Sequence, residues 1–368
     1  MKFQRLIFIS AFILTFVFTA FSQTPTPTPT VEEDEGVIEV KSRLIIVPVS
    51  VLDSNGQAVT GLTAKDFRVS EENKIQEIAE VSTAEKVPLE IVVLFDISAS
   101  TDALFKFEQE TAAEFLKTVM RPEDRATIFT VGSAPRLVQS RETAEKSAEA
   151  IKSILPTKEF TAFYDSVAAA AEHLQKNTPQ GRRKVIIVIS DGEDTNSVRI
   201  SKAIQDGYRK LGSKIDTMDR KTLYQLTVAN RDKASLSERE RVLQGLQNAD
   251  TVFYSINPAG NSLQLNKMSR FGQENLQRFA DDTGGTAFLP KFLPTSNKDE
   301  LQNAANTRRN AEILQQIFRQ LTNELQAQYL IQYYSDAEFP VNRYVKLDIG
   351  LQNPRNFRTR ARQGYFVK

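Results

Sequence analysis

The sequence predicts an α/β protein: a doubly wound, mainly parallel sheet joined to a small β-sandwich-like unit built from both ends of the chain. Three observations predict it. Unbroken apolar, largely β-branched runs at 91–95 and 185–190 read as strands covered on both faces, as in parallel sheets. Helical segments alternate with such strands across 87–328. Short strands punctuated by turns gather instead at 37–86 and 329–368, and neither end alone has enough of them to bury a core.

The chain opens with an address. Met1-Lys-Phe-Gln-Arg5 is basic, Leu6 to Phe21 is apolar, and Ala20-Phe-Ser22 has the small-x-small form of a cleavage signal, so 1–22 reads as a signal peptide. The apolar run spans about 24 Å as a helix, short of the roughly 30 Å hydrocarbon core. Cleavage near Ser22-Gln23 and a secreted or periplasmic protein are therefore expected, with a retained anchor as the alternative. Residues 23–36 form a linker, Thr24-Pro-Thr-Pro-Thr-Pro-Thr30 followed by an acidic stretch. It reads either as a semi-rigid polyproline II spacer or as a structureless leader.

In the N-terminal β module, 37–86, strands are predicted at 44–52 and 67–70, with a hairpin turn at Asp53-Ser-Asn-Gly56. Pro48 predicts an edge position or a bulge. Over 87–328, strands are predicted at 91–95, 126–131, 185–190, 251–256 and 286–289, and helices at 103–120, 144–154, 164–176, 275–283 and 309–327. A polar helical insertion at about 206–248 interrupts the alternation, with Ser235-Leu-Ser-Glu238 read as a capping box that starts a helix. Its neighbour Gly207-Tyr-Arg-Lys-Leu-Gly-Ser-Lys214 lacks the residue order of a phosphate loop. Strands at 329–334, 344–351 and 359–366 are expected to pair with the N-terminal module.

Chemistry concentrates where strands end. The first apolar run stops at Asp96-Ile-Ser98-Ala-Ser100, and the third at Ser190-Asp191-Gly192; Thr161 lies just before a helix. In an open α/β sheet, ligands bind at the carboxyl ends of strands. Two carboxylates and three hydroxyls are hard oxygen donors, suited to Mg²⁺ or another hard divalent cation such as Mn²⁺ or Ca²⁺. The same residues serve elsewhere as helix N-caps, and Asp-Gly as an ordinary turn.

Taken in order, Asp96-x-Ser98-x-Ser100, Thr161 and Asp191-Gly192 resemble the metal-ion-dependent adhesion site (MIDAS) of von Willebrand factor A (VWFA) domains. The resemblance implies a Rossmann-like domain, serine and threonine hydroxyls at the metal, aspartates bound directly or through water, and one position left for a partner's carboxylate. One departure is Glu159-Phe160 before Thr161, where the family usually carries glycine. Val59-Thr-Gly-Leu-Thr-Ala-Lys-Asp-Phe67, Gln328-Tyr-Leu-Ile-Gln-Tyr-Tyr334 and Arg358-Thr-Arg-Ala-Arg-Gln-Gly-Tyr-Phe366 are similar to secreted bacterial VWFA-related proteins of the acidobacterial type.

Composition excludes several classes. Forty-seven Lys and Arg balance 46 Asp and Glu for a net charge of +1, leaving no basic field for nucleic acid. Zero cysteines exclude disulfides, thiolate zinc and a cysteine nucleophile. The single histidine, His173, sits in helical sequence, and no Gly-x-Ser-x-Gly elbow accompanies it. Beyond the leader no run is long enough to span a membrane. With those classes set aside, the resemblance implies a non-enzymatic activity: Mg²⁺-dependent binding of a protein ligand that presents an acidic residue, for adhesion or scaffolding. The alternatives are a metal-dependent hydrolase or enzyme subunit, and a structural VWFA module with an empty site.

Overall fold

The computed structural model describes residues 43–98, 102–157, 159–258, 266–293, 298–354 and 356–367. The expected signal peptide at 1–22, the expected linker at 23–36 and Ser100 lie outside the described residues. Chain contacts group Lys41–Lys368 as one unit.

A six-stranded sheet forms its centre. Strands β5 (Leu89–Asp96), β6 (Arg125–Val131), β8 (Arg183–Ile189), β9 (Thr251–Ile256) and β10 (Ala287–Phe288) run parallel, in the order β10-β9-β8-β5-β6. A sixth strand, β7 (Arg136–Glu142), joins β6 antiparallel at the edge. The sequence did not announce it, because only Leu137 and Val138 are apolar and Arg141 breaks the register at positive φ.

Both faces of this sheet are covered, so β5 carries no polar alternation. Ile91, Val93 and Phe95 face helices α1 (Asp102–Val119), α2 (Ala144–Lys152) and α7 (Glu300–Gln326). Val92 and Leu94 face α3 (Phe163–Asn177), α5 (Arg220–Asn248) and α6 (Lys267–Thr283). Two helices start earlier than predicted, α6 at Lys267 and α7 at Glu300. Asn266 caps the first through Ser269 N–H, and Asp299 caps the second through Leu301 and Gln302 N–H.

The segment at 206–248 contains the end of α4 (Val198–Leu211), a 3-10 turn and α5. No helix begins at the expected capping box. Helix α5 runs unbroken from its N-cap Asp219, whose carboxylate accepts Lys221 and Thr222 N–H, and Glu238 is buried against Arg241. Only the later turns reach the sheet, through Val242, Leu243 and Leu246, so one long helix serves as both crossover and projecting arm.

Both chain ends meet in two further antiparallel sheets. One has the order β13-β1-β11-β4, from β13 (Arg358–Ala361), β1 (Arg43–Leu52), β11 (Tyr329–Ser335) and β4 (Ile78–Thr83). The other has the order β14-β12-β2-β3, from β14 (Gly364–Phe366), β12 (Tyr344–Leu351), β2 (Phe67–Glu71) and β3 (Lys74–Gln76). Val47, Val49, Phe67, Val69, Ile331, Tyr333, Val345 and Leu347 share one apolar core between them. The single strand expected at 359–366 is two, and the break at Arg362-Gln363 lets the chain cross from one sheet to the other. At Pro48 only β11 is paired, since β13 reaches no further than Val49; the missing N–H thus leaves no gap in a ladder.

Candidate metal centre

The carboxyl ends of neighbouring strands β5 and β8 bring Asp96 and Asp191 to one rim. Asp96 Oδ1 accepts the Ser98 N–H at 3.0 Å, and its Oδ2 accepts the Ser190 hydroxyl at 2.5 Å. Ser190, which the sequence marks only as a strand end, is thus the residue that orients Asp96. Asp191 Oδ1 accepts the Glu193 N–H at 2.9 Å, which tightens the turn through Gly192 at φ +76°.

That turn is held by a close crossing. A Cβ on Gly192 would stand 2.5 Å from the Gly272 carbonyl oxygen, and a Cβ on Gly272 would stand 2.6 Å from the Asp191 carbonyl oxygen. Helix α6 and the Asp191 loop therefore pack backbone to backbone, and only glycine fits at either position. Asn275 adds an Nδ2 bond to the Gly192 carbonyl at 3.3 Å and accepts the Tyr164 hydroxyl at 2.9 Å.

Thr161 is buried beside this loop. Its N–H donates to Thr195 Oγ1 at 2.8 Å, and its carbonyl accepts Thr195 and Asn196 N–H, so its own hydroxyl takes no part in the loop's bonding. Where the family usually carries glycine, Glu159 accepts both the N–H and the hydroxyl of Ser133. This pins the Thr161 loop to the turn after β6. Phe160 is left 70% exposed at the rim. Asp194 caps α3 by accepting Tyr164 N–H, which fixes the helix start just beyond Thr161.

Burial sets the electrostatics of this rim. Burial, and then the Asp96 charge, push the Asp191 carboxyl up to about 6, and burial also raises Asp96. Neither enters an ion pair with a described residue. Two carboxylates that repel each other, with Ser98 bonded to one, Thr161 bonded to the loop that follows the other, and no lysine or arginine among the described residues paired with either, fit a hard divalent cation. No three His, Cys, Asp or Glu side chains among the described residues are arranged to hold a metal by themselves, so hydroxyls would have to complete the shell. His173 is elsewhere: its Nε2 lies 3.2 Å from Thr127 Oγ1, and Glu90 and Arg141 act on it at the amino ends of the strands.

Comparison with known proteins gives one family match and several distant structural likenesses. Residues 91–193 match the profile of the von Willebrand factor type A domain. Among solved structures, a von Willebrand factor type A protein from Catenulispora acidiphila is similar at 10% identity and a TM-score of 0.40, covering 88% of this chain and 72% of that one. Proximal thread matrix protein 1 from the mussel byssus is similar at 10% identity and a TM-score of 0.37, over 66% of this chain and 50% of that one. This chain thus spans about half the length of the mussel protein. A conserved hypothetical protein, BatB, from Bacteroides thetaiotaomicron is similar at 14% identity and a TM-score of 0.33, over 62% of this chain and 99% of that one. No curated protein sequence matches. The matched stretch, 91–193, carries Asp96, Ser98, Thr161 and Asp191.

Proposed function

We propose that this rim binds a protein partner through a divalent cation, Mg²⁺ or a similar hard ion, in an adhesion or scaffolding role outside the cytoplasm. The observation that carries the reading is the pair of unneutralised carboxylates at adjacent strand ends, each raised by burial and Asp191 further by the Asp96 charge. Ser98, Ser100 and Thr161 would supply hydroxyls, with Asp96 and Asp191 binding directly or through water. A cation held there supplies an open coordination position for an acidic side chain of the partner.

The surroundings suit a protein surface. Leu155 and Phe160 precede Thr161 and are 74% and 70% exposed, and Val198, in the segment after Asp191, is 54% exposed. Exposed apolar side chains on the segments before Thr161 and after Asp191 favour a partner with its own apolar contacts. No helix among the described residues is long and apolar enough to cross a membrane. The leader at 1–22 and the likeness to secreted bacterial VWFA-related proteins support an extracytoplasmic site of action.

The hydrolase alternative would have to draw its base from the carboxylates of the rim, since His173 lies at the other end of the strands. The test is thermal unfolding with and without Mg²⁺, for the wild type and for Asp96→Ala with Ser98→Ala. Mg²⁺ should raise the melting temperature of the wild type alone. An identical response in both proteins refutes the site.

A further inference from the structure

Five glutamates are buried in the described residues: Glu71, Glu90, Glu108, Glu238 and Glu324. Four have partners that account for them. Glu71 accepts the hydroxyls of Tyr333, Ser335 and Tyr365. Glu90 pairs with Arg141 and Arg182, Glu238 with Arg241, and Glu324 accepts from Thr286 and Gln320. Glu108 differs. It is 1% exposed, it enters no ion pair, and its Oε1 is buried without a hydrogen-bond partner among the described residues. An unpaired buried carboxyl oxygen is costly, so its presence calls for a physical reason.

Its position supplies the reason. Glu108 lies on α1 one turn after Phe105, on the same inward face. Phe105 packs edge-on against Phe95, the residue before Asp96, with ring centroids 5.3 Å apart. Burial first, and the Asp96 charge second, push the Glu108 carboxyl up to about 8. Among the described residues Asp96 is the charged group that acts on it, and no arginine or lysine opposes the effect. Glu108 does not join two other acidic side chains in a metal-holding arrangement. Its action on the rim would therefore be at second hand, through the field and through coordinated water.

We infer that Glu108 is a positioning carboxylate of the cation centre, a third negative charge whose counter-charge is the divalent ion itself. This rests on the reading of the rim as a cation site. It extends that reading to a residue outside the five-residue motif and outside the three loops that carry it. The charge strengthens the hold on the ion and destabilises the protein when the ion is absent. A carboxylate kept only for packing would do neither.

The experiment uses the purified protein and Mn²⁺ alone, counted by the electron paramagnetic resonance signal of the free ion, at one pH. It is paired with thermal unfolding in chelator. Glu108→Gln keeps the shape and removes the charge, and is expected to weaken Mn²⁺ binding at least tenfold. Glu108→Met also removes the unpartnered oxygen, and is expected to raise the melting temperature of the metal-free protein by several degrees while binding Mn²⁺ as weakly. Asp96→Ala is the reference for loss of the site. If Asp96→Ala abolishes binding and Glu108→Gln leaves it unchanged, the cation site stands and the role of Glu108 is overturned. A lower metal-free melting temperature for Glu108→Met, with binding intact in Glu108→Gln, assigns the residue to packing. No Mn²⁺ binding by the wild type overturns the site and this inference with it.

Discussion

Replacing Gly272 with alanine tests whether the crossing of α6 over the Asp191 loop sets the proposed metal centre. The new Cβ would stand 2.6 Å from the Asp191 carbonyl oxygen and 2.8 Å from the Glu193 nitrogen, where ordinary contact begins at 3.4 Å. One partner must retreat by about 0.8 Å, and the side that can move is the loop. Alanine gains about 1 kcal/mol over glycine inside a helix, while overpacking costs about 1–3 kcal/mol, so the net loss of stability is expected between about 0 and 2 kcal/mol. The effect on the centre should be larger, because metal–ligand distances tolerate only about 0.2 Å. Mn²⁺ affinity should fall at least tenfold. Gly245→Ala is the matched comparison: it also lies in a helix, but a Cβ there meets nothing within 4 Å. It should stabilise the protein by up to about 1 kcal/mol and leave binding unchanged. Urea unfolding and Mn²⁺ titration measure both quantities. A Gly272→Ala protein that binds as tightly as the wild type and unfolds no more easily refutes the reasoning.

Asp191 and Glu108 are both raised, to about 6 and about 8, so the native state holds their protons more tightly than the unfolded chain does. Their contribution to stability is then complete below the unfolded carboxylate range and is lost as pH rises through 6 and 8. Metal-free unfolding free energy should fall by a few kcal/mol between pH 5 and pH 8.5, and Mg²⁺ should restore part of it at the alkaline end; a flat or rising profile in chelator contradicts this. Removing residues 329–368 strips β1 of both its neighbours, β11 and β13, and should unfold the N-terminal strands as well. Protection of 43–52 amides from hydrogen exchange in the truncated protein would count against the shared core. Leu246→Ala opens a cavity where α5 meets the sheet and should cost about 2–5 kcal/mol without altering Mn²⁺ affinity.

Much of the central sheet is legible before any coordinates. The strands at β5, β8 and β9 announce themselves because burial on both faces demands unbroken apolar runs, and the carboxylates that follow stand out against them. What escapes is decided between elements. Gly272 reads as a weak point in a helix until the Asp191 loop lies across it. Glu108 reads as one more solvent-facing helical glutamate. Ser190 gives no sign that its hydroxyl orients Asp96. The length of α5 escapes for the opposite reason: Ser235-Leu-Ser-Glu238 has good capping chemistry, but the packing of Ala234 and Glu238 keeps the backbone helical through it.

The shared sandwich core also sets a schedule for biogenesis. Ser335 reaches Glu71 across 264 residues of chain. At about 5–20 residues per second, a ribosome would need roughly 13 to 50 seconds to make that connection possible. Throughout that interval β1 and β2 have emerged with none of their C-terminal neighbours yet synthesised, exposing backbone edges that other copies on the same message could capture. Rapid collapse of the central sheet between its two halves would shorten the exposure of those edges.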